Sequence, residues 1–272
     1  MFPEFFHIGP VPIRAYGLLL ALAFFSGVLY LQKVSKRDGK DFDSMLTVAY
    51  IMIFGGIIGA RLAYILFHLE DFYGNWGATF NPFGNGQFGI SGLNLQGGMI
   101  LAIVGAFIYL KKKKLPIFDF FDYFTPAFGI GLAFGRMGCF FNGCCFGIPT
   151  DLPWAIMFPE NSIPRSIFGE TALHPTQIYS ALYGILLFFL LHYILKNRKF
   201  PGQAVAITLM LEAAFRASIE PFRYYEGAMY FSVNGINITY NYVMAFMLMI
   251  TGLVIYLKQR KANGDSPKII RS

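Results

Sequence analysis

Charged residues and cysteines are scarce in this sequence. Only 14% of its 272 residues are charged, whereas soluble domains carry about 25%, so an ordinary soluble globular domain is excluded. The three cysteines all lie between residues 139 and 145, which excludes the disulfide framework of a small secreted protein. The formal net charge of +7 does not indicate a nucleic-acid partner, because the basic residues occur in short clusters between long apolar runs.

Long apolar runs make up most of the chain. Hydrophobic residues account for 56% of the sequence, and a hydrocarbon core of ~30 Å needs about 20 of them in one helix. We therefore predict an all-α integral membrane protein, a single polytopic domain over residues 1–272 that forms a bundle of seven transmembrane helices. Six or eight spans are the alternatives, because the third and sixth runs are short. The predicted spans are Ile13–Gln32, Met45–Phe67, Leu95–Leu110, Phe118–Phe141, Thr176–Leu195, Gln203–Ser218 and Asn241–Leu257.

The basic clusters predict the orientation. Most of the 22 Lys and Arg residues follow the first, third, fifth and seventh spans. Loops rich in Lys and Arg stay in the cytoplasm, so the N-terminus should face outward and the C-terminus inward. On this prediction residues 258–272 form a cytoplasmic basic tail, and residues 143–175 form an outward-facing inserted segment.

The remaining basic residues are all arginines in or near the outer half of a span or in an outward loop. A guanidinium in the bilayer costs at least ~2.5 kcal/mol, so each must meet the protein interior, water or an anion. Two interpretations stay open: each arginine pairs with a local carboxylate, or several converge on an anionic lipid head group, which Arg grips through its rigid donor fork. The six residues are Arg14, Arg61, Arg136, Arg165, Arg216 and Arg223.

The sixth span carries acids on both sides of one arginine. Glu212, Arg216 and Glu220 follow one another at intervals of four residues, which places them on one helix face. They could form a self-neutralising ladder that lets the helix insert. Alternatively, Glu220 holds Arg216 in place and presents it to a ligand.

The fourth span ends in a glycine- and cysteine-rich stretch, Gly135–Gly147, in which Arg136 has no acid nearby. Its C-x4-C-C spacing is not a zinc pattern. We expect Cys139, Cys144 and Cys145 to be inert or structural, with redox or nucleophilic use as the alternative. His174, by itself, is expected to be an interfacial or helix-capping residue.

These residues together resemble a known family, the bacterial prolipoprotein diacylglyceryl transferases, over nearly the whole chain. The resemblance implies that the protein moves the diacylglyceryl group of phosphatidylglycerol onto the lipobox cysteine thiol of a prolipoprotein and releases glycerol 1-phosphate. It also implies the bacterial cytoplasmic (inner) membrane, an active site toward the outer face, and no cofactor or metal ion. The matching pieces are Arg14–Gly17, Gly59–Tyr64, Gln96–Gly98, Gly135–Gly147, His174–Tyr179 and Phe215–Arg223.

The resemblance also implies roles for single residues. Arg136 and Arg216 would bind the phosphodiester and stabilise the departing phosphate, with Glu220 orienting Arg216, and Tyr16 completes the expected catalytic set. The expected phosphatidylglycerol-binding residues, besides Arg136, are Arg61, Gln96, Gly98, Asn142, Gly147, His174 and Arg223.

The chain departs from the family pattern at four positions. Gln96 stands where His is common, Cys139 where Asn is, and Cys144 where an acid is; Ser180 replaces a frequent Glu. Because Gln cannot act as a base, the base would be Tyr16 or the substrate's own thiolate. The alternatives are a paralogous enzyme with another lipid or acceptor, a membrane transporter for an anionic solute, and a thiol oxidoreductase.

Overall fold

The computed structural model describes residues 4–8, 11–72, 94–225, 230–233 and 236–264. The end of the predicted basic tail, residues 265–272, lies outside them. The helices are α1 Ala15–Arg37, α2 Phe42–Phe67, α3 Leu69–Phe72, α4 Leu95–Lys112, α5 Ile117–Asn142, α6 Ile163–Phe168, α7 Thr176–Asn197, α8 Gln203–Ile219 and α9 Tyr240–Ala262, with a 3₁₀ turn at Glu220–Phe222. The strands are β1 Glu4–Ile8, β2 Val11–Arg14, β3 Ile156–Met157, β4 Ala172–Leu173, β5 Tyr230–Val233 and β6 Ile236–Thr239, and they pair as β1–β2, β3–β4 and β5–β6.

Each of the seven predicted spans coincides with a helix. Five of these helices, α1, α2, α5, α7 and α9, are long and apolar enough to cross a membrane. Many of their large side chains point outward, such as Phe67 at 75% exposure and Leu186 at 69%, as expected where lipid replaces water around the protein. The all-α membrane character is confirmed, while spanning by α4 and α8 and the N-out, C-in orientation stay predictions.

Local signals fix the ends of several helices. Asp41 caps α2 by accepting from Asp43 N at 3.0 Å, and Asn94 caps α4 by accepting from Gly97 N at 3.2 Å. Gly202, with φ +88°, turns the chain into α8, a conformation that Gly adopts without steric cost. Glu220 does not extend α8, since it begins the 3₁₀ turn in which Pro221 follows.

The chain divides into two compact units. The first comprises Met1–Phe5, Arg14–Gly27 and Phe121–Ser272, and the second comprises Phe6–Ile13 and Val28–Phe120.

In the second unit, α2 packs against α4 through small residues. A Cβ added at Gly98 would lie 2.7 Å from Gly56 O, and one at Gly59 would lie 2.6 Å from Gly97 O. Close backbone approach of this kind is how membrane helices associate when side chains are small. The paired glycines Gly97 and Gly98 therefore serve the helix contact.

In the first unit, α5 and α7 approach equally closely. A Cβ at Gly129 would lie 2.7 Å from Phe188 N, and one at Gly184 would lie 2.7 Å from Ala133 N. The α7–α8 contact includes a parallel stack of Tyr183 on Phe215, with ring centroids 3.8 Å apart. These contacts bring α5, α7 and α8 together.

Asp122 of α5 joins the same three helices at the connection between α7 and α8. It is fully buried. Its Oδ1 accepts from Val205 N at 2.9 Å, and its Oδ2 accepts from Gly202 N at 2.8 Å and from Arg198 Nη1 at 2.6 Å. Asp122 therefore satisfies backbone N–H groups at the start of α8, which have no partner within the helix, and neutralises a buried guanidinium.

Candidate functional site

Three backbone segments pair with one another: the segment after α5, the segment before α7 and the segment after α8. Gly147 N donates to His174 O at 3.0 Å, Ile148 N donates to Phe222 O at 3.0 Å, and Gly147 also bridges to Arg223. A Cβ at Gly147 would overlap Phe222 O and lie 2.5 Å from His174 Cβ. Gly147 is therefore required for the close approach of the segments, and this pairing fixes Arg223 beside the end of α5.

Arg136, Arg216 and Arg223 lie near one another in the first unit. Arg216 on α8 is within electrostatic range of both other guanidinium groups, and all three side chains are half-buried. In the described part of the chain, none of the three forms an ion pair with a carboxylate. Three unneutralised guanidinium groups repel one another at this separation, so the arrangement favours a bound anion, and phosphate fits the donor geometry of Arg.

Glu212 is the carboxylate that acts on Arg216. It also interacts electrostatically with Arg136 and with the Tyr183 hydroxyl. Glu212 Oε1 and Tyr183 Oη are buried and have no hydrogen-bond partner among the described residues. One carboxylate acting on Arg216 and Arg136 leaves the group of three arginines cationic.

Glu220 accepts hydrogen bonds that the sequence did not predict. Its carboxylate accepts from Thr239 Oγ1, from Asn241 Nδ2 at 3.0 Å and from Tyr225 Oη at 3.0 Å. Burial raises the pKa of the Tyr225 hydroxyl, which therefore remains a donor. No ion pair between Glu220 and Arg216 is present, although both residues lie in the described part of the chain. The positioning of Arg216 by Glu220 stays a prediction, while these hydrogen bonds tie the end of α8 to the start of α9.

Tyr16, near the start of α1, lies beside the arginines. Its ring packs on Gly138 of α5, where a Cβ would lie 2.7 Å from Tyr16 Cδ2. The hydroxyl is within electrostatic range of Arg136 and of the three cysteines, and the side chain is 44% exposed. Tyr16 therefore belongs to the same site as Arg136 and is accessible to a ligand.

The three cysteines converge at the end of α5. Gly143, with φ +73°, ends the helix, and Cys144 N donates to Cys139 O at 3.1 Å, as in a Schellman motif. The three Sγ atoms lie within 4.8 Å of one another. Hydrogen bonds from the other two thiols, together with the charges of Arg223 and Arg136, lower the pKa of Cys145. The linear spacing did not predict this grouping.

Two buried side chains at the start of α7 hold the cysteine loop in place. Thr176 Oγ1 donates to Cys145 O at 2.8 Å, and Gln177 Nε2 donates to Cys144 O at 2.9 Å. The sequence analysis singled out their motif but missed this role. The only sequence signal was the Thr-Gln pair that follows His-Pro. The identity of a side chain does not show which backbone carbonyl it will bind. Asn142 is exposed and lies directly before this loop.

His174 is a buried structural residue in this arrangement. Its Nδ1 lies 3.3 Å from Tyr179 Oη, which accepts from Trp154 Nε1 at 2.7 Å, and its ring packs edge-on against Phe222. Burial lowers the pKa of His174, so the ring is neutral near pH 7. The first residue of the α7 cap is Pro175, and the His174 side chain contacts Tyr179 instead of capping the helix.

Three further predicted residues lie on α2 and α4. Arg61, Gln96 and Gly98 belong to the second unit, where the Arg61 guanidinium lies over the Tyr64 ring, 5.6 Å from its centroid. Gln96 is exposed in the first turn of α4. Arg165 forms an ion pair with exposed Glu170, so the local-partner interpretation is confirmed for this arginine.

An apolar cavity of about 350 Å³ opens between α5 and α7. Met137, the neighbour of Arg136 along α5, contributes to its wall. A volume of this size suits a hydrocarbon chain, and among the described residues no charged side chain lines it. The lining residues are Ile130, Ala133, Phe134, Met137, Ile178, Ala181, Leu182, Ile185, Phe188 and Phe189.

Comparison with known proteins identifies the family of the chain. The family model described as prolipoprotein diacylglyceryl transferase matches residues 3–258. The chain is 33% identical over 221 residues to the phosphatidylglycerol–prolipoprotein diacylglyceryl transferase of Clostridium tetani, covering 81% of this chain and 84% of that protein. The proteins of the same name from Finegoldia magna and Wolbachia pipientis are 31% identical over 260 residues and 33% identical over 266 residues, covering 94% of this chain and 95% and 94% of theirs. The chain belongs to the prolipoprotein diacylglyceryl transferase family.

Proposed function

We propose that this chain transfers the diacylglyceryl group of phosphatidylglycerol to the lipobox cysteine thiol of prolipoproteins, the first step of lipoprotein maturation. The observation that carries the proposal is the group of three arginines without an ion-paired carboxylate, one of which, Arg136, lies on a helix that also lines an apolar cavity. The names of the relatives support the same reaction. They do not favour transport of an anionic solute or a different acceptor.

In this reaction, the acceptor thiolate attacks the glyceryl carbon that bears the phosphate. A C–S bond forms, the C–O bond to phosphate breaks, and the electron pair leaves with glycerol 1-phosphate. The leaving phosphate gains a negative charge, and preorganised cations at that position lower the barrier. We assign this role to Arg136 and Arg216, with Arg223 beside them.

The remaining residues support or shape the lipid site. Glu212 positions Arg216 electrostatically, and Glu220 anchors the end of α8 through Thr239, Asn241 and Tyr225. The apolar cavity between α5 and α7 would take an acyl chain.

The resemblance assigns further contacts with phosphatidylglycerol, which stay proposals. In the first unit they are made by the exposed or partly exposed side chains of Tyr16 and Asn142 and by the loop around Gly147 and His174. In the second unit they are made by Arg61, Gln96 and Gly98.

Incubation of the purified chain with phosphatidylglycerol labelled in its diacylglyceryl group and a lipobox peptide tests the proposal. Mass spectrometry should find the peptide heavier by the diacylglyceryl group, and glycerol 1-phosphate should appear in equal amount. A peptide with Ser in place of the lipobox Cys is the control and should remain unmodified. An unmodified Cys peptide after incubation with folded protein would contradict the proposed function.

We also propose seven spans with the N-terminus outward, in the bacterial inner membrane. A reporter that is active only in the cytoplasm should work when fused after Ser272 and fail when fused before Met1, because the basic clusters retain the odd-numbered connections inside. Activity of the reporter at both ends would mean an even number of spans.

Replacing Gln96 with His is expected to change the transfer rate by less than about tenfold, or ~1.4 kcal/mol in barrier. The reason is that a free thiol of pKa ~8.5 already supplies some thiolate, and nearby arginines raise that fraction. The measurement is the rate of peptide modification as a function of pH. A rise of ~10²-fold, the usual contribution of a positioned base, with a new dependence near pH ~6.5, would show that this position needs a base.

A further inference from the structure

The cysteine group contains every thiol of the chain. The sequence has three cysteines, and Cys139, Cys144 and Cys145 bring their Sγ atoms within 4.8 Å of one another. All three are free thiols in the structure. The transfer reaction as described above uses none of them, so their grouping calls for a separate explanation.

The backbone holds the three thiols together before any ligand binds. The hydrogen bond from Cys144 N to Cys139 O pins the two ends of the turn, and Cys145 adopts φ +61°, a conformation that costs energy for a residue with a Cβ. The side chains of Thr176 and Gln177, both buried, fix the carbonyls of Cys145 and Cys144. A rigid loop with backbone strain indicates a position maintained for a ligand rather than a chance contact.

The separation of the sulfurs fits a metal of the size of Zn²⁺. A triangle whose sides are at most 4.8 Å has a centre no more than about 2.8 Å from each corner, and Zn–S bonds are about 2.3 Å. In a tetrahedral complex the zinc lies out of the plane of its three sulfurs, which are then about 2.2 Å from the centre of their triangle, so each sulfur needs to move inward by no more than about 0.6 Å. Small rotations of the cysteine side chains supply this movement without any change in the backbone.

The charges around the group also suit a thiolate complex. Arg223 and Arg136 act electrostatically on Cys145. Three thiolates and one divalent cation carry a net charge of −1, which a single guanidinium group balances. Thiolate ligands select soft or borderline ions such as Zn²⁺ over Mg²⁺ and Ca²⁺.

We propose that Cys139, Cys144 and Cys145 bind one Zn²⁺ ion through three thiolates and leave its fourth position to the thiol of the acceptor peptide. Three protein ligands with one open position are the arrangement of catalytic zinc sites. Among the described residues, no His, Asp or Glu joins the group. We assign Arg136 to binding of the lipid phosphate, and Arg136 also acts electrostatically on the cysteine loop. The open coordination position of the zinc therefore lies within electrostatic range of the reacting end of the lipid. The choice of the acceptor thiol as fourth ligand rests on the proposed transfer, whereas metal binding itself does not.

The metal provides a way to form the attacking thiolate. A thiol that coordinates Zn²⁺ loses its proton to solvent. Its sulfur then forms the C–S bond with the glyceryl carbon, and the C–O bond breaks toward the phosphate held by the arginines. The product is a neutral thioether, which binds zinc more weakly than a thiolate and therefore departs. The step needs no oxidant or reductant.

The first measurement uses Co²⁺ as a coloured probe for the full chain in detergent, after removal of metals under reducing conditions. We expect thiolate-to-cobalt charge-transfer absorption that saturates at one equivalent and disappears when Zn²⁺ is added. Because the chain has no other thiols, the absorption must come from this group. The variant with Cys139→Ser, Cys144→Ser and Cys145→Ser, checked for unchanged helix content, is the control and should give none. A folded, reduced wild-type chain without the absorption would overturn the proposal, as would a disulfide within the group in protein isolated without reductant.

The second measurement adds a lipobox peptide to the cobalt-loaded chain. The absorption should rise by about one third, as expected when a fourth thiolate joins three, and a peptide with Ser in place of Cys should leave it unchanged. No response to the Cys peptide would overturn the assignment of the fourth ligand. The transfer rate should fall at least about tenfold when zinc is removed and return when it is restored, and an unchanged rate would contradict the role in transfer.

These results separate the two proposals. Cobalt absorption in a chain that never modifies any peptide would refute the proposed function and leave the metal site. Transfer by a chain without the absorption would refute the metal site alone.

Discussion

Replacing Arg136 or Arg216 with alanine is expected to lower the rate of diacylglyceryl transfer by at least about 10²–10³-fold, the usual effect of removing one preorganised group that stabilises transition-state charge. Both residues lie in the group without a carboxylate ion pair, where only the more distant charge of Glu212 acts on them, so each loss removes a cation that is available to the leaving phosphate. Because neither guanidinium completes an ion pair in the described part of the chain, the variants should insert and fold normally. The measurement is the initial rate of modification of the lipobox peptide.

Two further variants serve as controls for this prediction. Arg136→Lys and Arg216→Lys should recover little activity, because an ammonium keeps the charge but lacks the paired donors that match phosphate. Arg165→Ala should change the rate by less than about fivefold, since its exposed ion pair with Glu170 is worth only about 0–1 kcal/mol. Near-normal rates in both alanine variants of the site would refute the assignment of the phosphate to these arginines.

The helices could be predicted well from the sequence because lipid imposes one simple rule. Every segment inside the hydrocarbon must satisfy its own backbone hydrogen bonds, so each long apolar run becomes a helix. The predicted ends were less accurate. The first helix extends from Ala15 to Arg37, beyond the predicted Gln32, because Lys and Arg side chains reach back to water without ending the helix.

The site could be predicted only in part, and the reason differs between residues. The arginines stood out because a charge in an apolar run is costly, and three of the six do lie together. The hydrogen bonds of Glu220 to Thr239 and Asn241 were not predicted, because spacing along one helix does not show which residues of the next helix lie beside it. The cysteine group escaped prediction because it depends on the left-handed residue Gly143, which folds Cys144 back toward Cys139.

Asp122 is expected to contribute the largest single effect on stability. Asp122→Ala would leave the Arg198 guanidinium, only 3% exposed, without its ion-pair partner Asp122, and would remove the acceptor for Gly202 N and Val205 N at the start of α8. Breaking a buried ion pair from one side costs about 3–5 kcal/mol. We expect the midpoint of thermal unfolding in detergent to fall by about 10 °C.

The matched control is Glu170→Ala, which breaks the ion pair of Arg165 with a side chain that is 81% exposed. Its midpoint should fall by no more than about 2 °C, because solvent already screens that pair. The unfolding midpoint of Asp122→Asn should lie between those of the other two variants. Its amide oxygen still accepts one backbone N–H, but the negative charge is lost. Along α5, Asp122 lies 14 residues before Arg136, about 21 Å at the helix rise, so it does not touch the proposed phosphate site. Asp122→Ala should therefore lower the amount of folded protein much more than it lowers the transfer rate per folded molecule. Equal stability of the Asp122→Ala and Glu170→Ala variants would show that this junction of α5, α7 and α8 does not hold the first unit together.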